Sequence, residues 1–224
     1  MTKALFNALA SDYDVINKVI SFGQDKQWRR ALSRLLPLSA GLTYVDVGTG
    51  TGDVLFTVTE PRSWTHAHGV DPAQAMLAIA NQKSAHLVPQ PQWHCAPAEL
   101  LPFHNDFADV MTMAFAIRNV TDRLQSLREM ARILKPNGVM AIMEFSWPTA
   151  CWIRWPFNLY FRFIMPAMGG LISGQHHSYR YLAKSVSEFP SPDEFESMLT
   201  EAGLRPTTRV SLSAGMVHIY LATK

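Results

Sequence analysis

Tyr44-Val45-Asp46-Val47-Gly48-Thr49-Gly50-Thr51-Gly52-Asp53 sets a β-prone, mostly apolar tetrad in front of three glycines at alternate positions. One acid, Asp46, stands inside the tetrad. The pattern predicts a buried strand that runs into a tight turn without side chains and then into a helix. In such a turn a ligand can lie against bare backbone, where amide N–H groups are free to bind it. The spacing is acid-x-G-x-G-x-G, not the G-x-G-x-x-G of dinucleotide-binding turns, which disfavours a nicotinamide oxidoreductase.

The chain on either side supports a layered α/β fold. Residues 4 to 36 read as helical: Phe6, Leu9, Tyr13, Ile16 and Val19/Ile20 recur at three- and four-residue steps. Ser21-Phe22-Gly23 interrupts, and Asp25 is expected to cap a second helix carrying Trp28, Leu32 and Leu35/Leu36. Strands are then predicted at 42–47, 67–70, 92–96, 108–114 and 139–144, with helices at 53–59, 73–85 and 122–134 between them. Lys135-Pro136-Asn137-Gly138 reads as a stop and turn. Such alternation implies a parallel sheet with helices on both faces. A helix from Ser191 to Ala202 and strands at 205–211 and 216–222 close the chain.

Trp147 to Gly174 departs from this rhythm, being rich in Trp, Phe, Tyr, Ile and Met yet interrupted by Pro148, Pro156, Pro166, Arg154 and Arg162. A membrane span does not carry prolines and arginines so freely. Two short apolar helices are expected here, serving as a lid, an interfacial segment, buried core or a homodimer contact. One domain over 1–224 results: a helical cap at 1–41, a ligand-binding core at 42–146, the insert at 147–190, and a closing helix and strands at 191–224.

At 224 residues, 48% hydrophobic and 17% charged, the sequence is that of an ordered globular protein. A formal charge of +2 gives no footprint for nucleic acid. Cys95 and Cys151 lie far apart outside any C-x-x-C pattern, which points to reduced thiols and a cytoplasmic location. No metal-ligand spacing, signal peptide or transmembrane stretch is legible. Asp71, 19 residues past Gly52 at the end of the second strand, can accept both ribose hydroxyls of a nucleoside. It can equally cap the helix after Pro72, and the two roles are compatible.

Together these pieces resemble the ubiquinone/menaquinone biosynthesis C-methyltransferases. The likeness is carried by Phe6-Asn7…Tyr13-Asp14…Asn17…Ser21-Phe22-Gly23…Trp28-Arg29, by Asp46 to Asp53, and by Gly69-Val70-Asp71-Pro72…Met76-Leu77. Phe115-Ala116-Ile117-Arg118-Asn119-Val120, Ala131 to Gly138, Glu144-Phe145-Ser146 and Ser178 to Pro190 extend it almost end to end. The resemblance implies a Rossmann-like methyltransferase fold with a seven-stranded, mostly parallel sheet and S-adenosyl-L-methionine as methyl donor. It implies a polyprenylated quinol as acceptor, demethylmenaquinol ahead of 2-methoxy-6-polyprenyl-1,4-benzoquinol, with peripheral contact to the membrane. Asp46, Gly48, Gly50, Thr51, Gly52, Asp71, Pro97, Ala98 and Ala114 then fall at cofactor-binding positions, and Arg118, Tyr13 and Asn119 at catalytic ones.

Three positions depart from the family pattern. Pro97 stands where an acid or amide usually recognises adenine, Ala114 replaces a serine, and Ala116 replaces a glycine. Pro97 offers neither a side-chain acceptor nor an N–H. For Arg118 the bland alternative is an ion pair with Asp122 or Asp14. Two rival functions stay open: methylation of another lipophilic small molecule, and a non-catalytic descendant that binds a quinone or a partner.

Overall fold

The computed structural model describes residues 7, 10, 13–37, 39–60, 64, 66–147, 155, 159 and 184–224. The expected helix start at residue 4, most of the apolar insert, the polar loop after it and Cys151 lie outside the described residues. Two helices, α1 (Tyr13–Ile20) and α2 (Asp25–Leu35), precede β1 (Thr43–Val47). There follow α3 (Asp53–Thr59), β2 (His66–Val70), α4 (Gln74–Ser84), β3 (Gln92–His94) and β4 (Ala108–Ala114). A 3₁₀ turn (Ile117–Asn119), α5 (Arg123–Ile133), β5 (Leu134–Phe145), α6 (Pro192–Glu201), β6 (Arg205–Leu212) and β7 (Val217–Thr223) complete the order.

The seven strands form one sheet in the order β3-β2-β1-β4-β5-β7-β6. The first five run parallel; β7 is antiparallel to β5 and to β6. Alternation along β1 divides its side chains between two cores. Val45 and Val47 join Met111, Met113, Leu127, Met130 and Phe195 under α5 and α6. Tyr44 joins Val110, Met143, Trp28, Leu32, Leu55 and Val58 under α2 and α3. Helices therefore cover both faces, as the alternating pattern requires.

Most predicted elements fall where expected, and the differences have local causes. Asp25 is not the cap of α2 but lies in its first turn, where its N–H donates to Ser21 Oγ at 3.3 Å and its carboxylate pairs with Arg29 at 2.7 Å. β5 begins directly after α5, and the expected turn survives as an irregularity within it. Ala108 pairs with Leu134 and Val110 with Val139, while Asn137 takes a left-handed φ of 62°. At the other helix the sequence signal is fulfilled: Ser191 and Glu194 form a reciprocal capping box, with Pro192 in the first turn.

Among the described residues no helix is long and apolar enough to cross a membrane. Trp155 and Leu159, the residues of the insert described between 148 and 183, are both helical and expose 74% and 42% of their surface.

Candidate active site

β1 and β4 are neighbours in the sheet although β2 and β3 intervene in the chain, so the strand order reverses between them. Crevices at the carboxyl ends of strands form at such reversals. A cavity of about 320 Å³ opens there, lined by residues following all four of these strands. Gly48 and Gly50 come from the β1 turn, Asp71 and Pro72 from β2, and Pro97, Ala98 and Glu99 from β3. Ala114, Phe115, Ala116 and Asn119 come from β4, and Tyr13 reaches in from α1. A smaller cavity of about 90 Å³ shares Tyr13, Gly48, Gly50, Ala114 and Phe115 with it and adds Asn17, Thr51 and Arg118.

The glycine turn is held from below and from the side. Gly48, Gly50 and Gly52 all take positive φ, of 67°, 56° and 88°. An added Cβ at Gly48 would collide with Ala116 Cβ, so the turns after β1 and β4 touch at a point where only glycine fits. Asp71 fastens the turn laterally. Its Oδ2 accepts the Gly50 N–H at 2.9 Å and its Oδ1 accepts the Ala73 N–H at 2.8 Å. Ala73 precedes α4, so this second bond closes a turn ahead of the helix. The helix's first-turn Ala75 N–H donates to Asn7 Oδ1 at 3.1 Å instead, and Asp71 also lines the cavity. Burial pushes the Asp71 pKa up, against the pull of the Ala73 and Gly50 N–H groups.

Asp46 lies behind the turn rather than in the cavity. Thr112 donates its hydroxyl proton to Asp46 Oδ1, so the hydroxyl contact between Tyr44 and Thr112 has Tyr44 as donor. Thr49 also sits against the Asp46 carboxyl, and both hydroxyls favour its charged form. Burial raises the Asp46 pKa to about 7. Gly52 lines neither cavity, and a Cβ there would strike Phe56 and Trp93. Its place is in packing the start of α3.

Thr51 is also committed inside the protein. Its hydroxyl donates to Asp14 Oδ1 at 2.6 Å. The other Asp14 oxygen pairs with Lys83, which reaches Asp53 at 3.0 Å, and Asp53 in turn meets Arg29 at 3.4 Å. This chain of charges ties α1, α2, α3 and α4 around the glycine turn. Burial works against the Lys83 charge, but the two carboxylates outweigh it and its pKa is raised.

Arg118 pairs with neither Asp122 nor Asp14. Asp122 caps α5 by accepting the Gln125 N–H at 2.9 Å, and Asp14 is held as above. The partner is Glu144 at the end of β5, with Nη1 donating to Oε1 at 2.6 Å. The same Nη1 donates to Phe115 O at 2.6 Å, and Asn119 Nδ2 donates to that carbonyl at 3.2 Å. Phe115 sits at a positive φ of 55°, so the two side chains hold a strained turn in place. Arg118 Nε is buried with no hydrogen-bond partner among the described residues. Glu144 belongs to the Glu144-Phe145-Ser146 stretch of the resemblance, but nothing in the sequence pairs it with Arg118.

Comparison with known proteins fits this geometry. The model of the ubiE/COQ5 methyltransferase family matches residues 1–224. The chain belongs to that family. It is 39% identical over 223 residues, 98% of this chain and 87% of the relative, to the ubiquinone/menaquinone biosynthesis C-methyltransferase UbiE of Geobacter sulfurreducens. It is 36% identical over 199 residues, 89% of this chain and 90% of the relative, to the demethylmenaquinone methyltransferase of Thermus thermophilus. Among solved structures, the S-adenosylmethionine-dependent methyltransferase of Aquifex aeolicus superposes with a TM-score of 0.60 at 18% identity, covering 93% of this chain and 96% of that one. The [4+2]-cyclase SpnF superposes with a TM-score of 0.74 at 14% identity, covering 99% and 95%. These two show the fold.

The protein is therefore a methyltransferase, grouped with the C-methyltransferases of quinone biosynthesis, and membership implies S-adenosylmethionine as donor. The cavity suits that donor where Asp71 and the glycine turn line it. It departs at Pro97, which lines the cavity with a ring that can accept no hydrogen bond.

Proposed function

We propose that this protein transfers a methyl group from S-adenosylmethionine to a ring carbon of a demethylated prenylquinol, with demethylmenaquinol as the acceptor ahead of the ubiquinone precursor. The family match over the whole chain carries this reading, and the Thermus relative's name favours the menaquinone acceptor.

When bound, the donor supplies an electrophilic methyl group on a sulfonium. In this reading Asp71, Gly48, Gly50, Thr51, Ala98 and Ala114 hold it at the sheet end, while Asp46 and Gly52 shape the turn from behind. A ring carbon attacks well only when a conjugated hydroxyl is ionised, so the chain's task is to favour the phenolate and to align it. Arg118 lines the smaller cavity, and its guanidinium charge is suited to the ring oxygen as negative charge develops there. Arginine does not itself take the proton, and Glu144 already accepts from Arg118 and from the Phe145 N–H at 2.9 Å. The hydroxyl proton leaves to water, and the ring carbon bonds the methyl group as its S–C bond breaks. That carbon's own hydrogen then leaves as a proton while the oxygen is reprotonated, one net proton being released. Tyr13, whose pKa burial raises, stays a hydrogen-bond donor at neutral pH and orients the ring together with Asn119. Met76, Met113 and Val120 give the cavity an apolar wall for the ring.

The test is direct. Donor carrying a labelled methyl is incubated with demethylmenaquinol or with the demethylated ubiquinone precursor, and the labelled lipid is identified by mass spectrometry. Label in the first lipid is expected; label in neither would refute the assignment.

A further inference from the structure

The first two helices face two ways. Inward, Tyr13 and Asn17 of α1 and Trp28 of α2 line the smaller cavity. Outward, Lys26, Arg30 and Arg34 of α2 are exposed at four-residue steps, hence on one stripe. Lys18 of α1 is exposed as well. Beside it stand two large apolar side chains, Val15 at 56% exposure and Phe22 at 69%, the latter in the turn between the helices. An open groove between α2 and α3 is bordered by Lys26, Arg30 and Arg34, and Glu60 is its one acid outside an ion pair among the described residues.

Among the described residues these cations are not held in ion pairs, and like charges four apart on a helix repel. Elsewhere the opposite holds. Outside α1 and α2, only Arg123 and Arg205 among the described Lys and Arg lack an acidic partner, and Arg123 lies over the Phe189 ring. Among the described residues, unpaired positive charge is thus concentrated on α1 and α2, the helices whose other sides line the smaller cavity.

We propose that this face, Lys18, Lys26, Arg30 and Arg34 with Val15 and Phe22, docks the protein on an anionic phospholipid bilayer. Cations attract the acidic headgroups and the two apolar side chains enter the interface. The choice of a bilayer over other polyanions rests on the lipid acceptor proposed above, which has to reach the cavity from a membrane.

The experiment is co-sedimentation with phosphatidylcholine vesicles, with and without phosphatidylglycerol. The protein is expected to bind the anionic vesicles in preference, and added salt is expected to release it. Each cation near such a surface contributes roughly a fivefold gain in partitioning, so Lys26→Gln/Arg30→Gln/Arg34→Gln should bind on the order of 100-fold more weakly. Its turnover on a short-tailed quinol in solution should equal the wild type's. Unchanged vesicle binding by the triple variant overturns the proposal. So does tighter binding to single-stranded DNA than to the anionic vesicles, which would make the face a nucleic-acid surface. A wild-type protein that methylates neither quinol, yet binds vesicles through these three residues, would sink the acceptor assignment and leave the docking surface standing.

Discussion

Arg118 and Glu144 form an ion pair almost closed to water, 2.6 Å between Nη1 and Oε1 with side-chain exposures of 8% and 0%. Glu144 also accepts the Arg118 backbone N–H at 3.3 Å, so one carboxylate grips the residue at both ends. Removing one partner of a buried pair strands the other charge, whereas replacing both with apolar groups often restores stability. Glu144→Ala is therefore expected to lower unfolding free energy by about 3–5 kcal/mol, measured by urea denaturation. Arg118→Met/Glu144→Leu should recover most of that loss, bind S-adenosylhomocysteine nearly as the wild type does, and remain inactive. Recovery of turnover in the double variant would make the pair structural and remove Arg118 from the chemistry.

Asp46 predicts a pH dependence with a definite sign. Burial holds its folded pKa near 7, above the ordinary carboxylate value of 3.8. An acid raised in the folded state adds stability that is fully present below its unfolded pKa and is lost as pH rises through the folded one. The window is thus about pH 4 to 7, with a ceiling of about 4 kcal/mol from three pKa units. Asp46→Asn keeps an oxygen for the Thr112 hydroxyl and carries no charge at any of these pH values. Relative to wild type the variant should gain stability from pH 4 to pH 8. Parallel stability curves for the two proteins would show that Asp46 is ionised throughout.

Gly48 and Ala116 test how closely the two site turns must approach. Gly48→Ala adds a methyl group where Ala116 already lies and forces an L-residue to hold a φ of 67°. The left-handed backbone costs about 1–2 kcal/mol and the overlap about 1–3 kcal/mol more. Gly48→Ala/Ala116→Gly removes the overlap alone. Its melting temperature should lie between those of wild type and the single variant, and a double variant no better than the single would show that conformation, not contact, selects this glycine.

Residues whose neighbours are set by strand and turn chemistry were legible in the sequence. β4 was expected at 108–114 and spans Ala108–Ala114, because an apolar run bounded by turn residues fixes both ends. Asp71 was expected at the end of β2 as nucleoside ligand and helix cap, and it stands there and lines the cavity. Its carboxylate accepts from Ala73 ahead of α4, however, and Asn7 accepts from the helix's first turn instead. Arg118 was legible as important but not as paired. Its partner is 26 residues away on the neighbouring strand, where Ala114 pairs with Met143, and only strand register brings the two together. The sequence offered Asp14 and Asp122 instead. Both carry acids of the right type, but Thr51 with Lys83 and the first turn of α5 already hold them. Thr51 was legible as a hydroxyl in the glycine turn and it lines the smaller cavity, but its hydrogen bond to Asp14 was not legible, because it depends on where α1 folds back.

Pro97 makes the strongest test of how this site differs from its relatives. It lines the cavity beside Ala98, and its carbonyl accepts the Leu100 N–H at 3.2 Å, a bond that survives any change of side chain. Pro97→Asp restores the acceptor that the family pattern carries at this position and adds a backbone N–H. A hydrogen bond to a charged acceptor contributes about 1.5–3 kcal/mol, which exposure at the cavity mouth reduces toward the lower end. S-adenosylhomocysteine should therefore bind about tenfold more tightly to Pro97→Asp in titration calorimetry, and Pro97→Ala should bind as wild type does. Equal affinity across all three proteins would show that the adenine lies elsewhere, and that Asp71 and the glycine turn hold the cofactor without help from the β3 loop.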